Sequence, residues 1–268
     1  MPDTSVPIDP RRAWVKRLSR IGSDHGMFAR LDTRHLALMV EEDADTLLVS
    51  FDRADRLWSN GADGLPLGFA AVPAHDVSYL SLMSVGRSWF RSAEVDALLQ
   101  GLAGDGFFAS FRTILLVAAG PDCGHAAARA AALMPGAHVL LARPAAAIGA
   151  AHAPFETRFR ADRRLDPDRP TPFGPDALGK AASTTILFDP RDRNDAAQAA
   201  LFRGVRTTRV GFPLAGAALT RALTRTGTIV ALTQHMMREK LSPAATRAAL
   251  RTALHSDAAY RARLDRRS

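Results

Sequence analysis

Hydrophobic residues along this 268-residue chain gather in short runs, separated by longer segments in which polar and apolar positions mix. Six of these runs have the length and the apolar composition of buried strands. They occupy residues 46–51, 77–83, 113–119, 138–142, 184–188 and 206–212. Most of the segments between them have apolar residues at helical spacing, and strands that alternate with helices form a mostly parallel sheet with helices on both faces. The pattern therefore predicts an α/β fold in which residues 113–119 form the central strand.

The remaining segments predict a single α/β domain with three appendages. An N-terminal extension, residues 1–45, contains an amphipathic helix and then two short strands near 27–31 and 35–40. Residues 145–182 are rich in proline, arginine and alanine and are too long for an ordinary connection, which predicts a lid-like insertion. Residues 228–268 are predicted to form C-terminal helices.

Composition narrows the class of protein. Hydrophobic residues make up 47% of the chain, which is normal for a globular protein, and no apolar run is long enough to cross a bilayer. The N-terminal segment lacks the apolar core of a signal peptide, so the expected location is cytoplasmic. The single cysteine, Cys123, excludes an intrachain disulfide and a cysteine-rich zinc site.

The net charge of +8 comes almost entirely from arginine, because the chain has only three lysines. An excess of arginine and alanine is typical of a GC-rich bacterial genome. The alternative is that the arginines give the protein an affinity for phosphate or nucleic acid. They are scattered along the chain with few aromatic residues among them, so the sequence carries no specific signal for nucleic-acid binding.

The central strand leads into the pentapeptide Gly120-Pro121-Asp122-Cys123-Gly124, and an alanine-rich helical segment follows. Glycines two positions before and after a polar residue, between a strand and a helix, form the pattern of a nucleophile elbow. Such a turn needs glycine because its backbone is strained and neighbouring backbone crowds it. Asp122 therefore stands where a nucleophile is expected. The alternative is that Asp122 caps the helix that begins near Gly124.

The order of these elements resembles that of the α/β-hydrolase fold over roughly residues 46–226. In that family the nucleophile, the acid and the histidine follow one another along the chain in this order. The resemblance implies that Asp122 is a nucleophile like the aspartate of haloalkane dehalogenases and epoxide hydrolases, which forms an ester intermediate. It also implies that the acid is Asp189 or Asp192, both of which follow the penultimate predicted strand.

Two parts of the family's catalytic machinery are missing. No histidine lies among residues 212–216, which follow the last predicted strand, and residues 51–53 contain no His-Gly pair for the oxyanion loop. Without a histidine, nothing in the usual loop deprotonates the water that releases an ester intermediate. His235, in the predicted C-terminal helices, is the best remaining candidate for the base, and His125, beside the elbow, comes second.

Further side chains are predicted to line the pocket around the elbow. They are Asp52, Cys123, His125, Arg87, Trp89 and Arg91. Asp52 is expected to approach Asp122 at the carboxyl ends of the strands, and clustered carboxylates raise at least one pKa. Trp89 either stacks on a planar ligand beside the two arginines or anchors the following helix to the core. Cys123 is either a second candidate nucleophile or a buried packing residue.

Other classes of site have no support in the sequence. The histidines have no ligand spacing, so no metal is expected, and no cofactor is expected either. A phosphate at the helix N-terminus would fit a nucleotide-binding protein, but the glycine patterns of dinucleotide-binding and P-loop proteins are absent. The tetrapeptide at residues 122–125 resembles the reactive-cysteine motif of sulfonucleotide reductases, but that family's phosphate loop is missing.

The sequence thus predicts an α/β-hydrolase-like protein with a degenerate catalytic triad. Its predicted function is that of a non-catalytic binding or interaction module, whose partner is an unknown small molecule or protein. The alternative is a hydrolase that uses Asp122 as a nucleophile on a small ester, epoxide or halide.

Overall fold

The computed structural model describes residues 9–59, 64–164, 173–204, 206–238 and 241–266. Within these ranges, eight strands form one sheet. They are β1 (Gly26–Arg30), β2 (His35–Val40), β3 (Thr46–Arg53), β4 (Ser78–Ser84), β5 (Thr113–Ala119), β6 (His138–Ala142), β7 (Ser183–Phe188) and β8 (Thr207–Gly211). Every one of the six runs predicted as strands belongs to this sheet, and the two short N-terminal strands are β1 and β2.

The strand order across the sheet is β1-β2-β4-β3-β5-β6-β7-β8. β2 runs antiparallel to β1 and β4, and the remaining neighbours are parallel. This order, with its antiparallel second strand, is that of the α/β-hydrolase fold. The chain therefore has an α/β-hydrolase fold, as the sequence predicted, and β5 lies inside the sheet between β3 and β6.

The apolar composition of β5 follows from its place in the sheet. Its side chains point alternately into two hydrophobic clusters: Leu115 and Val117 belong to one, and Leu116 and Ala118 belong to the other. All four residues are fully buried. A strand that helices cover on both faces has no polar alternation, which is why the run at its centre was the clearest strand signal in the sequence.

Helices pack on both faces of the sheet. They are α1 (Pro10–His25), α2 (Ala54–Trp58), α3 (Ala71–His75), α4 (Ala93–Gly104), α5 (Pro121–Ala130), α6 (Gly174–Ala177), α7 (Arg193–Leu201), α8 (Ala217–Leu223), α9 (Thr226–Arg238), α10 (Pro243–His255) and α11 (Ala258–Asp265). Trp14 of α1, Leu219 of α8 and Ile229 of α9 pack on one face. Val95 of α4 and Ala127 of α5 pack on the other.

Buried polar contacts fix the described part of the segment predicted as a lid-like insertion. Gln198 of α7 accepts a hydrogen bond from the backbone N of Ala146 at 2.8 Å and donates one to the carbonyl of Ala147 at 2.8 Å. Gln198 also donates to Glu156, which is completely buried. Residues 165–172 of this segment lie outside the described residues, and its action as a lid stays a prediction.

Candidate functional site

A cleft of about 600 Å³ opens beside the carboxyl ends of β3 and β5. Ligand sites of open α/β sheets lie at this edge. The wall on one side consists of residues from the end of β3, from α2 and from the loop that follows α2, and the wall on the other comes from α8 and the start of α9. The charged groups that line the cleft are one carboxylate and four guanidinium groups: Asp52, Arg53, Arg56, Arg143 and Arg221.

Asp122 stands in the first turn of α5, one residue after Pro121, and is 1% exposed. The positive φ that the turn requires, 107°, belongs to Gly120. Since the helix begins directly after Gly120, Asp122 has a helical backbone and lacks the strain of a residue at the tip of an elbow. Gly124 permits a close approach, because a Cβ built there would lie 2.6 Å from the Cβ of Pro144. The two glycines, Gly120 and Gly124, match the elbow pattern, whereas Asp122 between them belongs to the helix.

Arg53 is the ionic partner of Asp122. The Nη1 atom of Arg53 lies 3.4 Å from Oδ2 of Asp122, and its Nε and Nη2 atoms donate to Asp55 at 2.8 and 2.6 Å. A buried carboxylate needs such a partner, because removing a charge from water is costly. The described residues that line the cleft include no histidine.

Asp52 is a second buried carboxylate, near the end of β3. It is 6% exposed, and its Oδ2 accepts hydrogen bonds from the hydroxyl of Ser50 at 3.1 Å and from the backbone N of Leu67 at 3.0 Å. Burial raises the pKa of Asp52 to about 6, against smaller opposing effects of these hydrogen bonds and of Arg56. The predicted rise of a carboxylate pKa is present, but its cause is burial and not a cluster of carboxylates.

Asp189 occupies the place of the triad acid but binds backbone. Its Oδ1 accepts hydrogen bonds from the backbone N atoms of Arg191 and Leu214 at 2.9 and 3.0 Å, and its Oδ2 accepts one from Gly216 at 2.8 Å. In the family, the acid orients a histidine in the loop after the last strand. Here Asp189 holds the backbone of that loop, and it is not among the described residues that line the cleft.

Asp192 caps α7. Its Oδ1 accepts hydrogen bonds from the backbone N atoms of Asn194 and Asp195 at 3.0 and 3.2 Å, and its Oδ2 accepts one from Arg143 at 3.2 Å. Arg143 also forms an ion pair with the buried carboxylate of Asp195. Asp192 therefore caps α7 and anchors Arg143, and a catalytic role for it stays a prediction.

The two candidate bases lie away from the cleft. α9 reaches the cleft through Ile229, but His235 is exposed on the outer side of the same helix, because Leu232 and Met236 form its buried face. His125 is completely buried, and its Nδ1 lies 3.1 Å from the carbonyl oxygen of Ala145. Burial, reinforced by nearby arginine charge, lowers the pKa of His125 to about 4. Neither histidine is among the residues that line the cleft, and Asp122 itself lies beneath it, directly after the lining residues Gly120 and Pro121.

The other predicted pocket residues have different surroundings. Cys123 packs in the core beneath α5, and burial raises the pKa of its thiol well above its usual value. Trp89 is completely buried, and its Nε1 donates to Oδ2 of Asp162 at 3.0 Å, while Arg87 donates to the same oxygen at 3.2 Å. Trp89 and Arg87 thus bind the insertion through Asp162. Arg91 lines a separate pocket beside β2 and β4.

Sequence reasoning overlooked the arginines that line the cleft. Arg143 is bound to the acids of α7, and Arg221 makes two hydrogen bonds to Asp257, at 2.8 and 3.1 Å. Arg56 forms no salt bridge among the described residues, although its charge acts on the nearby Asp52, and its Nη1 lies 3.7 Å from the point where a Cβ of Gly120 would stand. One feature of the sequence could have indicated these arginines: Arg53 and Arg56 stand three positions apart, directly after a buried strand.

The described residues contain neither a candidate metal site nor a helix that could span a membrane. No group of histidine, cysteine, aspartate or glutamate side chains there has the arrangement of a metal site. In the same residues, no helix has both the length and the apolar character needed to span a membrane.

Solved structures with a similar fold include enzymes and a protein complex. Esterase LipW from Mycobacterium marinum matches at 14% identity and a TM-score of 0.46, covering 92% of this chain and 85% of that one. A capsule O-acetyltransferase of Neisseria meningitidis serogroup A matches at 9% identity and a TM-score of 0.45, over 68% and 85%. A Glycosylation Associate Protein (Gap123) complex from Streptococcus agalactiae matches at 13% identity and a TM-score of 0.46, over 70% of this chain.

The matched region spans only 43% of the streptococcal chain. No protein-family model matches the sequence, and no curated protein matches it either. The strand order described above, and not these likenesses, defines the fold.

Proposed function

We propose that the central cleft is a non-catalytic binding site for a small ligand that carries a negative charge. The protein would then act as a binding or interaction module on an α/β-hydrolase scaffold. The observation that carries the proposal is the charge of the cleft: four arginines line it beside a single carboxylate, and no histidine is among its described lining residues.

Arg56 supplies the charge that a ligand would meet. The other three arginines form salt bridges with carboxylates, whereas Arg56 forms none among the described residues and interacts with Asp52 only at longer range. Its guanidinium lies near Gly120, at the N-terminus of α5, where the helix dipole also favours an anion. A phosphate, sulfate or carboxylate group matches the planar set of donors that a guanidinium presents.

The contacts of the candidate catalytic acids support the same proposal. The acid position is taken by Asp189, whose oxygens are occupied by backbone N–H groups, and Asp122 is paired with Arg53. A hydrolase of this fold needs a base that is oriented by the acid and fixed donors for the oxyanion. The cleft offers Asp52 instead of such donors, and a carboxylate would repel a developing oxyanion.

A thermal-shift panel tests the proposal. We expect at least one small anion, among phosphate, sulfate, citrate and nucleoside monophosphates, to raise the melting temperature of the wild type in a saturable manner. Arg56→Ala should abolish the shift. Arg247→Ala, which removes an exposed arginine of α10 outside the cleft, should retain it. A panel with no saturable shift, or equal shifts in all three proteins, would contradict the proposal.

The second candidate is a hydrolase that uses Asp122 as nucleophile on a small ester, epoxide or halide. The observation that favours it is the position of the Asp122 carboxylate at the start of α5 beside Arg53, a cation that lines the cleft. Burst kinetics with an ester or an epoxide, abolished by Asp122→Asn, would support this candidate and overturn the non-catalytic proposal for the cleft.

A further inference from the structure

A hydrogen-bonded chain of aspartate, histidine and serine lies outside the central cleft. The Nδ1 atom of His35 is 2.7 Å from Oδ2 of Asp32, and its Nε2 atom is 2.7 Å from Oγ of Ser88. His35 and Ser88 are 3% and 7% exposed, so water competes little for these bonds. The connectivity, with the acid on Nδ1 and the hydroxyl on Nε2, is that of a Ser-His-Asp triad.

The fold brings these residues to the same edge of the sheet as the elbow. His35 begins β2 and pairs with Ser84, the last residue of β4, and Ser88 follows four positions later. The antiparallel direction of β2 places its start beside the end of β4. Since β4 and β5 are separated only by β3, the hydrogen-bonded residues Asp32, His35 and Ser88 lie two strands from the elbow. This is the edge where α/β sheets hold their sites.

Ser88 sits in a strained turn between a strand and a helix. The next two residues, Trp89 and Phe90, have φ values of 58° and 52°, in the left-handed region that bulky residues avoid. The backbone N of Phe90 donates to Oγ of Ser88 at 3.1 Å. A nucleophilic serine is held in a comparable strained turn in α/β-hydrolase enzymes, and the donor from Phe90 would stabilise negative charge on Oγ.

Asp32 is held in one orientation by four donors. Its Oδ1 accepts hydrogen bonds from the backbone N atoms of Arg34 and His35 at 2.6 and 2.8 Å, and its Oδ2 accepts one from the hydroxyl of Ser92 at 2.6 Å as well as contacting His35. Burial opposes ionisation of Asp32, but these hydrogen bonds more than offset it and hold its pKa below the usual range. The carboxylate is therefore available to orient the imidazole and to stabilise its protonated form.

We propose that Ser88 and His35 catalyse acyl transfer from a small ester, and that Asp32 positions His35 for this reaction. The three residues line a pocket of about 360 Å³, whose other polar walls include Thr33 and Ser92. That volume admits a short acyl group. This proposal is independent of the function of the central cleft, because none of its residues lines that cleft.

The reaction consists of two balanced steps. The Oγ of Ser88 bonds to the carbonyl carbon of the ester, His35 Nε2 takes the serine proton, and the carbon–oxygen bond to the alcohol breaks as His35 returns that proton to the leaving oxygen. In the second step His35 takes a proton from water, the water oxygen bonds to the acyl carbon, and the bond to Oγ breaks as the proton returns to Ser88. The products are a carboxylic acid and an alcohol.

The test uses the full chain with p-nitrophenyl acetate as the ester and a fluorophosphonate probe that reacts with activated serines. We expect the probe to add to Ser88 of the folded protein, as mapped by peptide mass spectrometry, and to spare the heat-denatured protein. Ser88→Ala should lower ester hydrolysis by about 100-fold or more. Ser110→Ala, which removes an exposed hydroxyl bonded to the carbonyl of Phe107, should hydrolyse the ester like the wild type.

A separate variant tests the positioning residue. Asp32→Asn is expected to lower kcat by a larger factor than it changes KM, because Asp32 acts on the reaction through His35, whereas a general loss of pocket structure would change both constants. Folding of each variant is checked by circular dichroism. If Ser88→Ala does not fold, the fluorophosphonate labelling of wild-type Ser88 decides whether the proposal holds. A folded wild type that is not labelled at Ser88, or a folded Ser88→Ala with wild-type turnover, would overturn the proposal and leave these bonds as a clamp between two turns.

Discussion

The Oδ2 atom of Asp189 accepts a hydrogen bond of 2.8 Å from the backbone N of Gly216. Asp189 Oδ1 accepts a second bond from this loop, at Leu214, whose φ of 66° is left-handed. On the other side of the loop, Arg263 of α11 donates to the carbonyls of Leu214 and Ala215 at 2.6 and 2.8 Å. A loop that carries a histidine in α/β-hydrolase enzymes is here fixed by an acid and an arginine at its backbone.

Removal of the Asp189 carboxylate should therefore affect stability. Asp189→Ala leaves three part-buried backbone N–H groups without their acceptor, and we expect the free energy of unfolding to fall by about 1–3 kcal/mol, because water can reach part of these donors. Urea unfolding monitored by circular dichroism measures the change. Asp176→Ala, at the start of the short helix α6, is a control from which we expect a smaller loss. An Asp189→Ala protein as stable as the wild type would contradict the assigned structural role.

Ionisation of Asp52 should make stability depend on pH. Burial raises the pKa of Asp52 to about 6, from 3.8 for the ordinary group, so the folded state holds this proton more tightly than the unfolded state. The resulting stabilisation is complete below the unfolded pKa and is lost as pH rises through the folded pKa. A difference of about 2 pKa units corresponds to roughly 3 kcal/mol.

Asp52→Asn isolates this effect, because the amide keeps the shape but does not ionise. We expect the variant to gain stability relative to the wild type as pH rises from about 4 to about 7. His125 titrates in the same range with the opposite sign, because its folded pKa is lowered and its stabilisation is lost as pH falls. The measured quantity is therefore the difference in urea unfolding between variant and wild type. A difference that does not change with pH would contradict the raised pKa.

Close packing at Gly124 should make even a methyl group costly. A Cβ at this position would lie 2.6 Å from the Cβ of Pro144 and 2.8 Å from its Cα, and neither atom belongs to a flexible side chain. We expect Gly124→Ala to lower the free energy of unfolding by about 1–3 kcal/mol despite the higher helix propensity of alanine. Gly101→Ala, in α4, where nothing lies within 4 Å of the added carbon, is the matched control and should be neutral or stabilising.

The sequence predicted the fold well, because buried strands leave a local signal. Each of the six apolar runs forms a strand, and the glycines that flank Asp122 mark a real turn and a real close approach. Asp192 could also have been predicted as a cap, since it directly precedes α7. Properties that depend on a few consecutive residues were thus accessible without the structure.

The site was less predictable, because its contacts join distant parts of the chain. The partners Arg53 and Asp122 are 69 positions apart, and His35 and Ser88 are 53 apart, with no spacing that indicates either contact. The direction of His235 depended on which side of α9 packs against the core, and that side is set by Leu232 and not by the polar residues. The net charge of the sequence indicated an excess of arginine, but it did not indicate that four of the arginines line one cleft.

The binding of an anion at Arg56 tests the central claim most directly. Arginine Nε–Hε signals of the wild type, recorded by NMR during a titration with inorganic phosphate, report each guanidinium separately, and loss of one signal in Arg56→Ala assigns it. We expect the Arg56 signal to shift first and to saturate, ahead of the exposed arginines of α1 such as Arg12. An Arg56 signal that does not move, while the arginines of α1 do, would contradict the proposed binding site.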